Sequence, residues 1–257
     1  MIDRNKARQA FAGYLQAYDT ADDKIRLKAV HTYAVLDAAD VICRDENLTG
    51  EDRELAVLIA LLHDIGRFEQ LKVFGSFDDR KMDHASFGVS VLFEDGLIRN
   101  FIAEDRYDGI IRKAIRNHSL FELPEGLNER EKLHCRIIRD ADKLDNFRVK
   151  DTEKMETMLD ISEEAIGLEP ISPDIMKSIR AERCIRRADR ITHMDHWVSF
   201  LAFIFDLNFK ASFRWLLDRD YMNRNIDRIV YRNPATKRDM EELRQICNRY
   251  IRERAGF

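Results

Sequence analysis

Apolar residues recur three and four positions apart along most of this 257-residue chain, the spacing that lines one face of an α-helix. The pattern predicts a short amphipathic helix over residues 4–18 and a longer one over 24–46. In the longer one Leu27, His31, Ala34, Val35, Ala38 and Val41 or Ile42 share a face. Thr49 with Asp52 marks the next start, a variant of the capping box. That helix is expected to run through the apolar stretch ending at His63 and to stop near Gly66, since glycine favours helix C-termini. Residues 67–82 read as an irregular connection, and Asp83 is placed to cap a helix from His84 to about Glu94. A helix over 105–118 puts Ile111, Ala114, Ile115 and His118 on one face. Pro124 and Gly126 mark a loop over 119–127, and Asn128 with Glu131 opens a helix reaching about Arg148. The clearest break spans 150–174 and holds Pro170 and Pro173. Beyond it helices are expected at about 174–189, 192–208, 211–231 and 236–254. No strand pattern, internal repeat or low-complexity tract is evident.

Composition strengthens the helical reading. The chain has 10 Gly and 4 Pro, well below the roughly 12% combined share of an average protein. Sandwiches, barrels and propellers need those residues at their many turns, so an all-α fold is expected. Hydrophobic residues at 45% suffice for a substantial core. Residues 1–150 are expected to form one domain. Residues 151–257 are expected to form a C-terminal helical extension packed on the same body, because the early helices carry wide apolar faces that need cover.

Cys43, Cys135, Cys184 and Cys247 are too scattered for a C-x-x-C metal site and read as free thiols of a reducing compartment. The charged start MIDRNKARQAFAGYL lacks a signal-peptide core, and no apolar stretch approaches about 18 residues. A cytoplasmic chain without a membrane partner is expected. The net charge of −4 hides an asymmetry: 18 basic against 12 acidic residues from 171 onward, and 25 against 35 before it. Solvated helical surfaces explain this as simply as a basic flank for an anionic ligand.

Seven histidines are present. His31 and His118 fall on apolar helix faces, where a lone histidine is usually a satisfied core residue. The picture changes at His63-Asp64, which ends a run of apolar residues from Leu55 to Leu62. A carboxylate there is costly to bury without a cation. Asp142 faces the same cost on the inward side of RIIRDADKLDNF.

The order His31, His63-Asp64, Asp142, with the local strings HDIGRF and DADKLD, resembles the HD-domain superfamily of metal-dependent phosphohydrolases over roughly residues 24–150. The resemblance implies an all-α helical bundle, here with additional C-terminal helices, converging on a divalent ion. Carried over residue by residue, it implies His31, His63, Asp64 and Asp142 as ligands. Asp142 is preferred to Asp140 and Asp145 because it precedes Lys143, as in the family pattern, and because of its helix face. In binuclear members further histidines bind a second ion. His84 and His118 lie in that window, with Asp64 then bridging. One or two ions are therefore expected, from Mn, Fe, Ni, Mg or Zn. The Gly-Tyr-Pro signature of the cyclic-di-GMP-cleaving subgroup is missing after His118, and Asn117-His118 stands where a His pair is common. That activity is not implied.

The resemblance implies a metal-activated water attacking phosphorus in a phosphate-containing small molecule, a nucleotide or a relative of one. Asp64 and Arg67 are the expected catalytic residues. Arg67, which follows HDIG where related sequences often carry a phosphate-binding lysine, and Lys143 are the expected substrate-binding ones. Arg80 and Lys81 are weaker candidates, and Lys143 also reads as half of a structural ion pair. His193 and His196, three apart, and His134 read as surface or packing residues. The aromatic run around residue 200 reads as core or as a homodimer face formed by the C-terminal helices. It lacks the interleaved cations of a nucleic-acid groove. The alternative function is a non-catalytic metal- or nucleotide-binding signalling module with a degenerate site.

Overall fold

The computed structural model describes residues 2–257 and, among them, contains helices and no strand. It divides into two compact units, Met1–Asp142 and Lys143–Phe257. The first holds α1 (Arg4–Leu15), α2 (Asp23–Asp45), α3 (Gly50–Leu62), α4 (Ile65–Phe74), α5 (His84–Phe93), the short α6 (Ile98–Phe101), α7 (Asp108–Asn117) and the start of α8 (Glu129–Thr152). The second continues with α9 (Met155–Leu159), α10 (Glu163–Ile166), α11 (Pro173–Arg180), α12 (His193–Leu201), α13 (Lys210–Arg219), α14 (Tyr221–Asp227) and α15 (Pro234–Ala255).

In the first unit α3 is the core helix. Its residues Leu55 to Leu62 are all buried, as expected for a helix apolar on every side. It packs on α2, and α5 packs on both α4 and α7. Local side chains fix the ends. Asp83 accepts the Ser86 amide at the start of α5. Asn128 and Glu131 exchange side-chain–backbone bonds of 2.9 and 3.0 Å at the start of α8, the reciprocal arrangement of a capping box.

The helix expected to stop near Gly66 instead stops at Leu62. The chain turns at His63-Asp64, and a new helix runs from Ile65 to Phe74. Part of the expected irregular connection is thus helical, and the loop proper covers 75–83. The helix-ending glycine is Gly75, left-handed at φ 59°. Gly66 has a different task. A Cβ there would overlap the His84 carbonyl oxygen and sit 2.6 Å from the Gly88 nitrogen, so glycine is what lets α4 and α5 approach closely.

In the second unit, the expected helix over 211–231 is two helices, because Asp220 adopts φ 51° between α13 and α14. The helix expected over 174–189 ends at Arg180, with a separate 3-10 turn at Arg187–Asp189. The buried Asp195 carboxylate accepts the amides of Ser172, Ile191 and Thr192 and the Ser172 hydroxyl. It thereby ties the proline-containing segment to the start of α12.

Candidate metal centre

Six helices or their ends bring six side chains to one place in the first unit. His31 comes from the middle of α2 and His63 and Asp64 from the α3–α4 turn. His84 is the first residue of α5, His118 follows α7, and Asp142 lies on α8. The four histidines and Asp64 are almost completely buried, while the Asp142 side chain is 20% exposed. His31 Nε2 lies 3.1 Å from Asp142 Oδ1, and His63 Nε2 lies 3.9 Å from the same oxygen. The set His31, His63, Asp142 and the set His63, Asp64, His118 each place one ligand atom per residue within 4.8 Å of the others.

Asp64 divides its two oxygens between these sets. Oδ2 faces His31 Nε2 at 3.7 Å and His63 Nε2 at 3.6 Å. Oδ1 faces His84 Nε2 at 3.3 Å and His118 Nε2 at 3.6 Å. The His84 and His118 Nε2 atoms are themselves 3.1 Å apart. A carboxylate with two imidazoles on each oxygen is the arrangement a bridging ligand requires.

The imidazoles are held with one nitrogen outward. His63 Nδ1 donates to the Ala60 carbonyl at 2.8 Å and His118 Nδ1 to the Ile115 carbonyl at 2.7 Å. Carbonyl oxygens only accept, so Nδ1 carries a proton in both rings and Nε2 is the nitrogen turned inward. His84 Nδ1 lies 2.7 Å from Asp79 Oδ1, a carboxylate–histidine pair of the kind that fixes ligand orientation at metal sites.

Electrostatics point the same way. Burial pushes the His63 imidazole down to about 4. Burial, helped by the Arg67 charge, does the same to His84, also to about 4. Both rings are neutral near pH 7, as metal ligation requires. Burial opposes ionisation of Asp64, but Lys28 and the surrounding imidazoles outweigh it and hold the carboxyl well below the usual range. Asp142 is likewise held low, against burial, by the bond from His31 and the neighbouring imidazoles. Imidazole nitrogens together with the ionised oxygens of Asp64 and Asp142 form a donor set that suits a divalent transition ion or Mg. One atom tests the fit most sharply: His63 Nε2 is buried and has no hydrogen-bond partner. A buried lone pair of this kind is costly unless something electropositive meets it.

The two Nη atoms of Arg67 are engaged within the protein. Its Nη1 donates to Asp79 at 2.6 Å, to Gln70 at 2.7 Å and to the Phe77 carbonyl at 3.1 Å, and Nη2 reaches the second Asp79 oxygen at 3.3 Å. Arg67 thus secures Asp79, which in turn holds His84. Lys143 pairs with Asp206 at 2.8 Å in the second unit. Arg80 is exposed and paired with Asp78. His134 pairs with Asp52 at 3.1 Å and His193 with Glu169 at 2.8 Å, so both serve packing or surface contacts.

Three residues stand out that the sequence pattern does not reveal as part of the site. Lys28, one turn before His31 on α2, places Nζ 2.6 Å from Asp64 Oδ2. Asp79, in the loop over 75–83, orients His84. Buried Arg139 donates to the carbonyls of Asn117, His118, Leu120 and Phe121, and so fixes the turn that presents His118. Only Lys28 has a readable signal, its i−3 spacing from His31.

Residues 29–146 match the family model of the HD domain. No curated protein and no solved structure matches the chain significantly.

Proposed function

Residues 29–146 are an HD domain, which places the chain in the HD-domain superfamily, and on that premise we propose that it is a metal-dependent phosphohydrolase. Its substrate is a phosphoester or phosphoanhydride of a nucleotide or related small molecule. The observation that carries the reading is the shared carboxylate: Asp64 sets His31 and His63 on one oxygen and His84 and His118 on the other. When bound, a divalent ion supplies Lewis acidity, which makes a water nucleophilic near neutral pH and offsets charge on phosphoryl oxygens.

The protein's own residues supply the rest. His31, His63 and Asp142 would hold one ion and His84 and His118 a second, with Asp64 serving both. The outward Nδ1 bonds of His63, His84 and His118 preset ring orientation. Asp79, locked by Arg67 and Gln70, keeps His84 in the tautomer that offers Nε2. Arg139 holds the 117–121 backbone in place.

The reading is tested by loading the full chain with Mn²⁺, Fe²⁺ or Mg²⁺ and assaying a panel of nucleoside mono-, di- and triphosphates, cyclic nucleotides and simple phosphomonoesters. Turnover that requires the metal is expected. A metal-loaded protein that cleaves nothing on the panel would favour a binding module over an enzyme.

A further inference from the structure

Lys28 is the cation nearest the shared carboxylate, and its position is unusual. Its Nζ takes the Asp64 oxygen, Oδ2, that also faces His31 and His63. The side chain is 15% exposed, so it reaches the centre without being sealed in it. The ammonium lies 5.5 Å from the centre of the Phe77 ring, on the loop over 75–83. Lys24 approaches the same ring at 5.9 Å and donates to the Gly75 carbonyl. Lysine on α2 and the aromatic ring of the loop thus stand together beside the centre.

A cation held through Asp64 Oδ2 places a like charge next to the Lys28 ammonium and weakens that pair. An ammonium has three donors and no acceptor. Its natural partner beside a loaded centre is an anion that both cations can share. A phosphoryl group has that chemistry, and a lysine ammonium serves it as a compact point charge.

We propose that Lys28 is a substrate-binding residue, which exchanges Asp64 for a phosphoryl oxygen of the substrate once the centre is loaded. The inference rests on the phosphohydrolase reading of this site. It has two consequences of opposite sign. Lys28 competes with metal for Asp64, so removing it should tighten metal binding. Lys28 also holds phosphate, so removing it should weaken phosphate binding.

The test titrates Mn²⁺ into the metal-free full chain, then inorganic phosphate into the Mn²⁺-loaded chain, for wild type, Lys28→Met and Lys28→Arg, with circular dichroism confirming the fold. Lys28→Met should bind Mn²⁺ several-fold more tightly and phosphate about tenfold more weakly, the loss of one charge-assisted hydrogen bond. Lys28→Arg should keep most of the phosphate affinity. A loaded Lys28→Met that binds phosphate like wild type overturns the proposal, as does a loaded wild type that binds none. Weaker Mn²⁺ binding by Lys28→Met also overturns it, because that marks a structural role. A wild type that binds Mn²⁺ and phosphate but hydrolyses no substrate contradicts the phosphohydrolase reading alone, and the comparison at Lys28 stays decisive.

Discussion

Asp79 Oδ1 accepts the Nδ1 proton of His84 across 2.7 Å. The same oxygen takes the Arg67 guanidinium at 2.6 Å. This chain of contacts runs from an arginine beside the His-Asp turn, through a loop carboxylate, to an imidazole whose other nitrogen faces Asp64 at 3.3 Å. Arg67 thus supports the orientation of His84 through Asp79.

Asp79→Asn should therefore lower affinity for the ion served by His84 and His118 by roughly 10- to 100-fold, leaving the His31, His63, Asp142 set intact. Calorimetric Mn²⁺ titration should show one strong site retained and one weakened. Equal weakening of both, or no change in either, would contradict this role.

Gly66 allows α4 to lie against α5, since a Cβ would meet the His84 carbonyl and the Gly88 nitrogen. Backbone atoms cannot swing aside as a side chain can. Gly66→Ala should cost about 1–3 kcal/mol, the usual range for overpacking a tight site, and shift His84. A urea midpoint equal to wild type would show that the helices have room.

Arg139 satisfies four carbonyls between residues 117 and 121 with one buried guanidinium. Bonds from a charged donor contribute about 1.5–3 kcal/mol each, less what the exposed ones recover from water. Arg139→Met should destabilise the chain by at least about 2 kcal/mol and weaken Mn²⁺ binding through His118. Full stability by urea denaturation would count against this clamp.

Burial, together with the positive charge of Arg190, pushes the His196 imidazole down to about 4. An unfolded chain protonates histidine near pH 6.5. The folded state binds fewer protons between these values, so the stability linked to His196 is complete above about pH 6.5 and falls away as pH drops toward 4. Wild type should lose more stability between about pH 7.5 and about pH 4.5 than His196→Gln. Equal losses in urea titrations would contradict the shift.

The helices were legible where a periodic face coincided with a cap, as at Asp83 and at Asn128 with Glu131. The HD-domain family was legible from HDIGRF and DADKLD. The break at His63-Asp64 was not, because the apolar run Leu55–Leu62 reads as one helix carried on to Gly66 and the turn itself lacks glycine or proline. Gly66 drew attention as a helix end, but its role depends on α5, a neighbour that local pattern does not reveal. His31, His118, His63-Asp64 and Asp142 drew attention because each sat against apolar residues where a polar group needs a reason, whereas His84 was named only through the family resemblance. Asp79 sits in a charged loop between Asp78 and Arg80, and nothing local distinguishes it. Arg67 drew attention for its place beside HDIG, and the fold adds a partner that local pattern does not reveal, Asp79, twelve residues on.

The most direct measurement is metal content per chain alongside hydrolysis for wild type and Asp64→Ala. Asp64 faces imidazoles on both oxygens, so its loss should abolish bound divalent metal and hydrolysis together. Full metal content or undiminished hydrolysis in a folded Asp64→Ala protein would contradict a phosphohydrolase centre built on this residue.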